Sequence, residues 1–69
     1  MTAKFKKYQS VQFCKESQLV YRDVLDRPDL AESKGVILRV RDLDDKFLYA
    51  VELTNGEVRE YAESHLEAA

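Results

Sequence analysis

Apolar and polar residues alternate most cleanly in the second half of the chain. Val36-Ile37-Leu38-Arg39-Val40-Arg41 reads as a strand with Val36, Leu38 and Val40 facing inward and Arg39 and Arg41 outward. Phe47 to Leu53 is a second strand with Tyr49, Val51 and Leu53 on the core side. Between it and a return strand at Val58–Tyr61 stands Asn55-Gly56, a pair that favours a type I′ hairpin turn. Parity sets Tyr61 opposite to Val58, which calls for a bulge near Arg59 or an outward Tyr61. Glu63–Glu67 reads as one turn and a short closing strand, with Leu66 plugging the core.

The first half is less regular. Val11-Gln12-Phe13-Cys14 alternates as a half-buried strand, and Leu19-Val20-Tyr21 is a short β-type run. From Arg22 to Lys34 the pattern breaks. Pro28 fixes its own φ and pushes Arg27 away from helix, so a long loop between the second and third strands is expected, with one helical turn at Pro28–Glu32 as the alternative. Short strands at close intervals, with no sustained 3.6-residue period, predict an all-β domain: a five-stranded small barrel over residues 10–69 after a flexible basic segment, residues 1–9.

Composition narrows the functional classes. A chain of 69 residues holds one domain with a thin core. It is 45% apolar, too hydrophobic for a disordered chain, and its 35% charged residues must cover the surface. Cys14 is the single cysteine, so no internal disulfide forms. The N-terminus has positive charge without an apolar run behind it, and no apolar stretch is long enough to span a bilayer; a cytoplasmic location and no membrane partner are the expectation. Net charge is −2, unevenly spread: residues 1–15 carry four lysines and no acid, and residues 16–69 carry 7 bases against 13 acids.

No catalytic or metal-binding constellation stands out, so no enzyme, cofactor or metal is expected. Asp42, Asp44 and Asp45 resemble the start of a calcium loop, but Phe47 and Leu53 occupy the positions where glycine and the closing acid belong. Cys14 and the lone histidine, His65, are too few for a zinc site, although strand order would let them meet at one end of a small barrel. Two glycines cannot build a phosphate-cradling loop.

Several residue patterns together resemble the SH3-like barrel in its bacterial versions. They are Gly35-Val36-x-x-x-Val40, Tyr49-Ala50-Val51-Glu52, Gly56-x-Val58-x-x-Tyr61 and Leu66-Glu67. The likeness spans about residues 10–67 and is a fold signature, shared by modules of many functions. The C-terminal half is also similar to the type II plasmid-borne dihydrofolate reductases, tetramers whose central pore takes folate and NADPH. There Tyr49-Ala50-Val51-Glu52 matches one segment, and Val58-Arg59-Glu60-Tyr61 stands where the pore-lining segment would be. Arg59 and Glu60 depart from that pattern, and four copies of Glu60 around a pore would repel both anionic ligands.

Small barrels of the resembled kind bind with exposed aromatics flanked by charges. Tyr21, Phe47 and Tyr61, with Arg39 and Arg59, are therefore the candidate binding surface for a protein partner. An edge strand offers a second route. Ile37 and Leu48, read as outward-facing neighbours, form a candidate self-association strip, so a homo-oligomer is one expectation. The alternative partner is nucleic acid, contacted through Lys4, Lys6, Lys7 and Lys15. The reductase-like tetramer is the third reading.

Overall fold

The computed structural model describes residues 2–69. Five antiparallel strands form one sheet: β1 (Ser10–Phe13), β2 (Lys34–Asp42), β3 (Phe47–Leu53), β4 (Val58–Ala62) and β5 (Leu66–Ala68). Their order is β4-β3-β2-β1-β5. Between β1 and β2 lie helix α1 (Lys15–Leu19), a π-helical turn (Val20–Val24) and a short helix α2 (Pro28–Ala31).

The chain geometry forces this sheet to coil. In a flat sheet β4 and β5, at opposite edges, would lie about 19 Å apart, four spacings of about 4.8 Å. Yet a 3₁₀ turn, Glu63–His65, alone joins them, and a link of this length reaches at most about 14 Å fully extended. The edges therefore approach each other. They are not hydrogen-bonded to one another, so the expected all-β, five-stranded architecture stands but the barrel does not close.

The strand face that becomes the core is decided by a bulge in β2. Gly35, Val36 and Ile37 pair with Leu53, Glu52 and Val51, and beyond the bulge Arg39 to Asp42 pair with Ala50 to Phe47. Leu38 is the extra residue. A bulge of this kind reverses the inward–outward parity of the residues beyond it. Strict alternation from Val36 therefore fails in its first half: Val36 is exposed, and Ile37 is wholly buried, at 0% exposure. Val40, past the bulge, packs inward as expected. The Ile37–Leu48 self-association strip is corrected accordingly, because Ile37 belongs to the core and only half-buried Leu48 lies on the outer face.

Gly35 marks a close approach within this core. A Cβ there would sit 2.4 Å from Val51 Cγ1 and 2.7 Å from the Glu52 carbonyl oxygen, so the absent side chain is what lets β2 and β3 meet. The β3–β4 hairpin also differs from the sequence expectation. Gly56 N–H donates to Leu53 O at 2.9 Å, and within the loop only Gly56 takes positive φ, +90°. A three-residue loop ending in a left-handed glycine replaces the two-residue type I′ turn. Asn55 contributes its side chain instead, accepting the Glu57 N–H at 2.9 Å.

Leu19-Val20-Tyr21, read as a strand, is helical. β1 explains why: β2 pairs along one of its edges and β5 along the other, which leaves no ladder for a further strand. The segment satisfies its backbone internally instead, and the Gln18 side-chain amide donates to Phe13 O at 2.7 Å. Residues 28–31 take the alternative of one helical turn, with Pro28 opening it and Leu30 and Ala31 buried. At the other end, Leu66 is buried as expected.

The N-terminal segment touches the core through Phe5. Phe5 is buried and meets the Tyr49 ring edge-on at 5.3 Å between centroids. The Tyr49 hydroxyl accepts the Lys4 and Phe5 N–H groups at 3.1 and 3.3 Å and donates to Glu63 Oε2 at 2.5 Å. Glu63 Oε2 also accepts the Lys4 N–H at 3.1 Å. A buried phenol thus ties the N-terminal segment, β3 and the 3₁₀ turn together.

The hydrogen bond from Tyr49, and then that from the Lys4 N–H, hold the Glu63 carboxyl below its ordinary value of 4.5. Burial, then the bond to Glu63, raises the Tyr49 hydroxyl above 10.0. A lowered carboxyl contributes stability that is present above its ordinary pKa and lost as pH falls through the folded value. A raised phenol contributes stability present below pH 10.0 and lost as pH rises through its folded value. Urea unfolding should find Glu63→Gln less stable than the parent by about 1 kcal/mol at pH 7. That gap should close as pH is lowered toward 3, and a pH-independent gap would contradict the assignment.

Candidate binding face

The helical segment meets the sheet through one aromatic ring, that of Tyr21. Phe13, fully buried at the end of β1, is the shared contact. The Tyr21 ring leans on it at 5.0 Å and the Tyr61 ring meets it edge-on at 4.9 Å. Such pairs add about 0.5–1.5 kcal/mol each beyond their buried area. Tyr61 faces inward with no bulge in β4, because it pairs with Tyr49 in an unbroken register. Burial first, and then the neighbouring Tyr21 phenol, push the Tyr61 hydroxyl up, while Arg59 pulls the other way.

Three of the five candidate binding residues, Tyr21, Arg59 and Tyr61, thus come together. The other two do not join them. Arg39 pairs with Ala50, on the sheet face opposite to Tyr49 and Tyr61. Phe47 is buried, and lines a separate cavity of about 420 Å³ with Lys4, Lys46 and Glu63.

The sequence reading missed the larger feature of this face. No side chain of α1 or of the π-helical turn is buried. Leu19, Val20, Val24 and Leu25 are exposed at 39, 47, 74 and 54%. Beside them a cleft of about 360 Å³ is lined by Glu16, Ser17, Val20, Tyr21, Leu25 and His65. The apolar pairs 19–20 and 24–25 are five residues apart, and the backbone matches that spacing: the Leu25 N–H donates to Val20 O at 3.0 Å, the i→i+5 bond of a π turn. This spacing matches neither the strand period of 2 nor the α-helical period of 3.6.

The remaining candidates resolve into local structure. Asp42 Oδ1 accepts the Asp44 N–H at 2.9 Å, making a polar turn of the acidic run. Cys14 and His65 do meet, through a backbone bond of 3.0 Å from the Cys14 N–H to the His65 carbonyl. The Cys14 Sγ lies 3.4 Å from the Ser64 carbonyl oxygen, and His65 is one of the residues that line the cleft. Among the described residues no three His, Cys, Asp or Glu side chains converge as a metal site, and no helix is long and apolar enough to cross a membrane.

No protein family, curated protein or solved structure matches the chain.

Tyr21 is the inward anchor of an otherwise exposed segment. Tyr21→Ala should therefore speed amide exchange across residues 15–25 before it affects β2 and β3, at a cost of about 1–2 kcal/mol. Uniform loosening of the whole sheet would show that the segment is not held by this contact.

Proposed function

We propose that the chain is a non-enzymatic binding module, built on an open SH3-like sheet, that docks a protein partner on the face formed by the helical segment and Tyr21, Arg59 and Tyr61. The strand order and the 3₁₀ turn between β4 and β5 support the SH3-like reading. The observation that carries the binding reading is the exposure of Leu19, Val20, Val24 and Leu25 in a thin domain that has every reason to bury them. Exposed apolar residues grouped on one short helical segment commonly mark an interaction surface. The adjacent cleft admits one or two side chains of a partner segment. Residues 16–69 carry six more acids than bases, so the favoured partner is an apolar segment flanked by lysine or arginine.

A display library of random twelve-residue peptides tests this. Selected peptides should share an apolar pair with basic flanks. The double variant Val24→Asp/Leu25→Asp should weaken them about 30-fold, the loss of about 2 kcal/mol of apolar burial. Both positions are exposed, so the variant should stay folded. Selection of nothing, or of peptides indifferent to the variant, would overturn the reading.

A further inference from the structure

A second surface of different chemistry lies where the N-terminal segment meets the bulge. Residues Lys6 to Gln9 form a tight turn: the Gln9 N–H donates to Lys6 O at 3.1 Å, and the Lys6 N–H to Gln9 Oε1 at 2.9 Å. The turn is clamped to β2 at Ile37. The Tyr8 N–H donates to Ile37 O at 2.6 Å, and the Ile37 N–H to Gln9 O at 3.0 Å. Tyr8 is held at φ +69°, a left-handed conformation uncommon for a bulky residue. Its ring is nevertheless not used in packing and is 67% exposed. A strained backbone that presents an aromatic ring to solvent serves no packing purpose, and strain of this kind clusters at ligand-binding positions.

The turn and the strand beside it carry positive charges. Arg22, Arg27, Arg41 and Arg59 each have an acidic partner. Lys6, Lys7 and Arg39 are exposed and, like Lys4, Lys15, Lys34 and Lys46, have no acid within ion-pair distance among the described residues. Lys7 Nζ instead lies over the Tyr8 ring, 5.1 Å from its centroid. Arg39 comes just after the bulge, two residues along β2 from the carbonyl that anchors Tyr8. In a chain of net negative charge, the turn thus carries Lys6, Lys7 and a largely exposed ring, with Arg39 two residues along the strand that anchors it.

We propose that this corner binds single-stranded nucleic acid, with Tyr8 stacking on a base and Lys6, Lys7 and Arg39 contacting phosphates. An unpaired base offers the π-face that an exposed ring can take, and the flanking phosphates supply the charge. Lys15, at the far end of β1, lies outside the corner. This site is separate from the apolar docking face and does not depend on it.

Fluorescence anisotropy with a labelled ten-nucleotide oligothymidylate tests the proposal. Three phosphate contacts should weaken binding about twentyfold between 50 and 200 mM salt. Tyr8→Ala should weaken it about tenfold, and Tyr8→Phe should leave it intact. An abasic strand of equal length should bind about as weakly as Tyr8→Ala binds the oligothymidylate. Val24→Asp/Leu25→Asp should bind normally, which separates this site from the protein-docking reading. Absence of binding at 50 mM salt, equal binding of the abasic strand, or displacement by polyglutamate at equal charge concentration would overturn the proposal.

Discussion

The extra residue at Leu38 is the constraint on which most of the structure depends. Without it, β2 would present Ile37 and Arg39 on one face, and Val36, Leu38 and Val40 together on the other. With it, Gly35 and Ile37 face the core before the bulge and Val40 faces it afterwards. Burying a side chain such as Ile37 is worth about 1.5–3 kcal/mol, a large share of what so small a domain has to spare. A bulge also bends and twists its strand, in the sense the sheet needs if edges joined by the 3₁₀ turn are to approach.

Strand pairing then determines what is left exposed. β1 carries neighbours on both sides, so the residues after it have no ladder to join and close their hydrogen bonds within a helical segment. That segment reaches the core through Tyr21, packed on Phe13, and leaves its aliphatic side chains outside. The Lys6–Gln9 turn is clamped on Ile37, the last residue before the bulge. The apolar face and the cationic corner are thus two consequences of one sheet geometry, and they suit different chemistries.

The sequence made much of this legible where physics is local. Alternation located β3 with Tyr49, Val51 and Leu53 inward, and turn chemistry located the bend before β4. It located the Leu66 plug too. Bulges are invisible to alternation, because Val36-Ile37-Leu38 is apolar throughout and permits either parity. The fate of Leu19-Val20-Tyr21 was hidden for another reason: it depends on the occupancy of both edges of β1, a fact of tertiary pairing. Phe5 among lysines looked like part of a solvated tail, and its burial depends on Tyr49, 44 residues away. Of the candidate binding residues, Tyr21, Arg59 and Tyr61 converge, whereas Arg39 was separated from them by sheet face and Phe47 by burial.

The β2–β3 register in solution, measured by cross-strand nuclear Overhauser contacts between backbone protons, tests the role of the bulge without intermediaries. Ile37 should show contacts with Val51, and Arg39 with Ala50, with Leu38 unpaired between them. A continuous ladder that pairs Leu38 with Ala50 and Arg39 with Tyr49 would contradict that role. It would also remove the common origin of the core, the coil of the sheet and the placement of Tyr8.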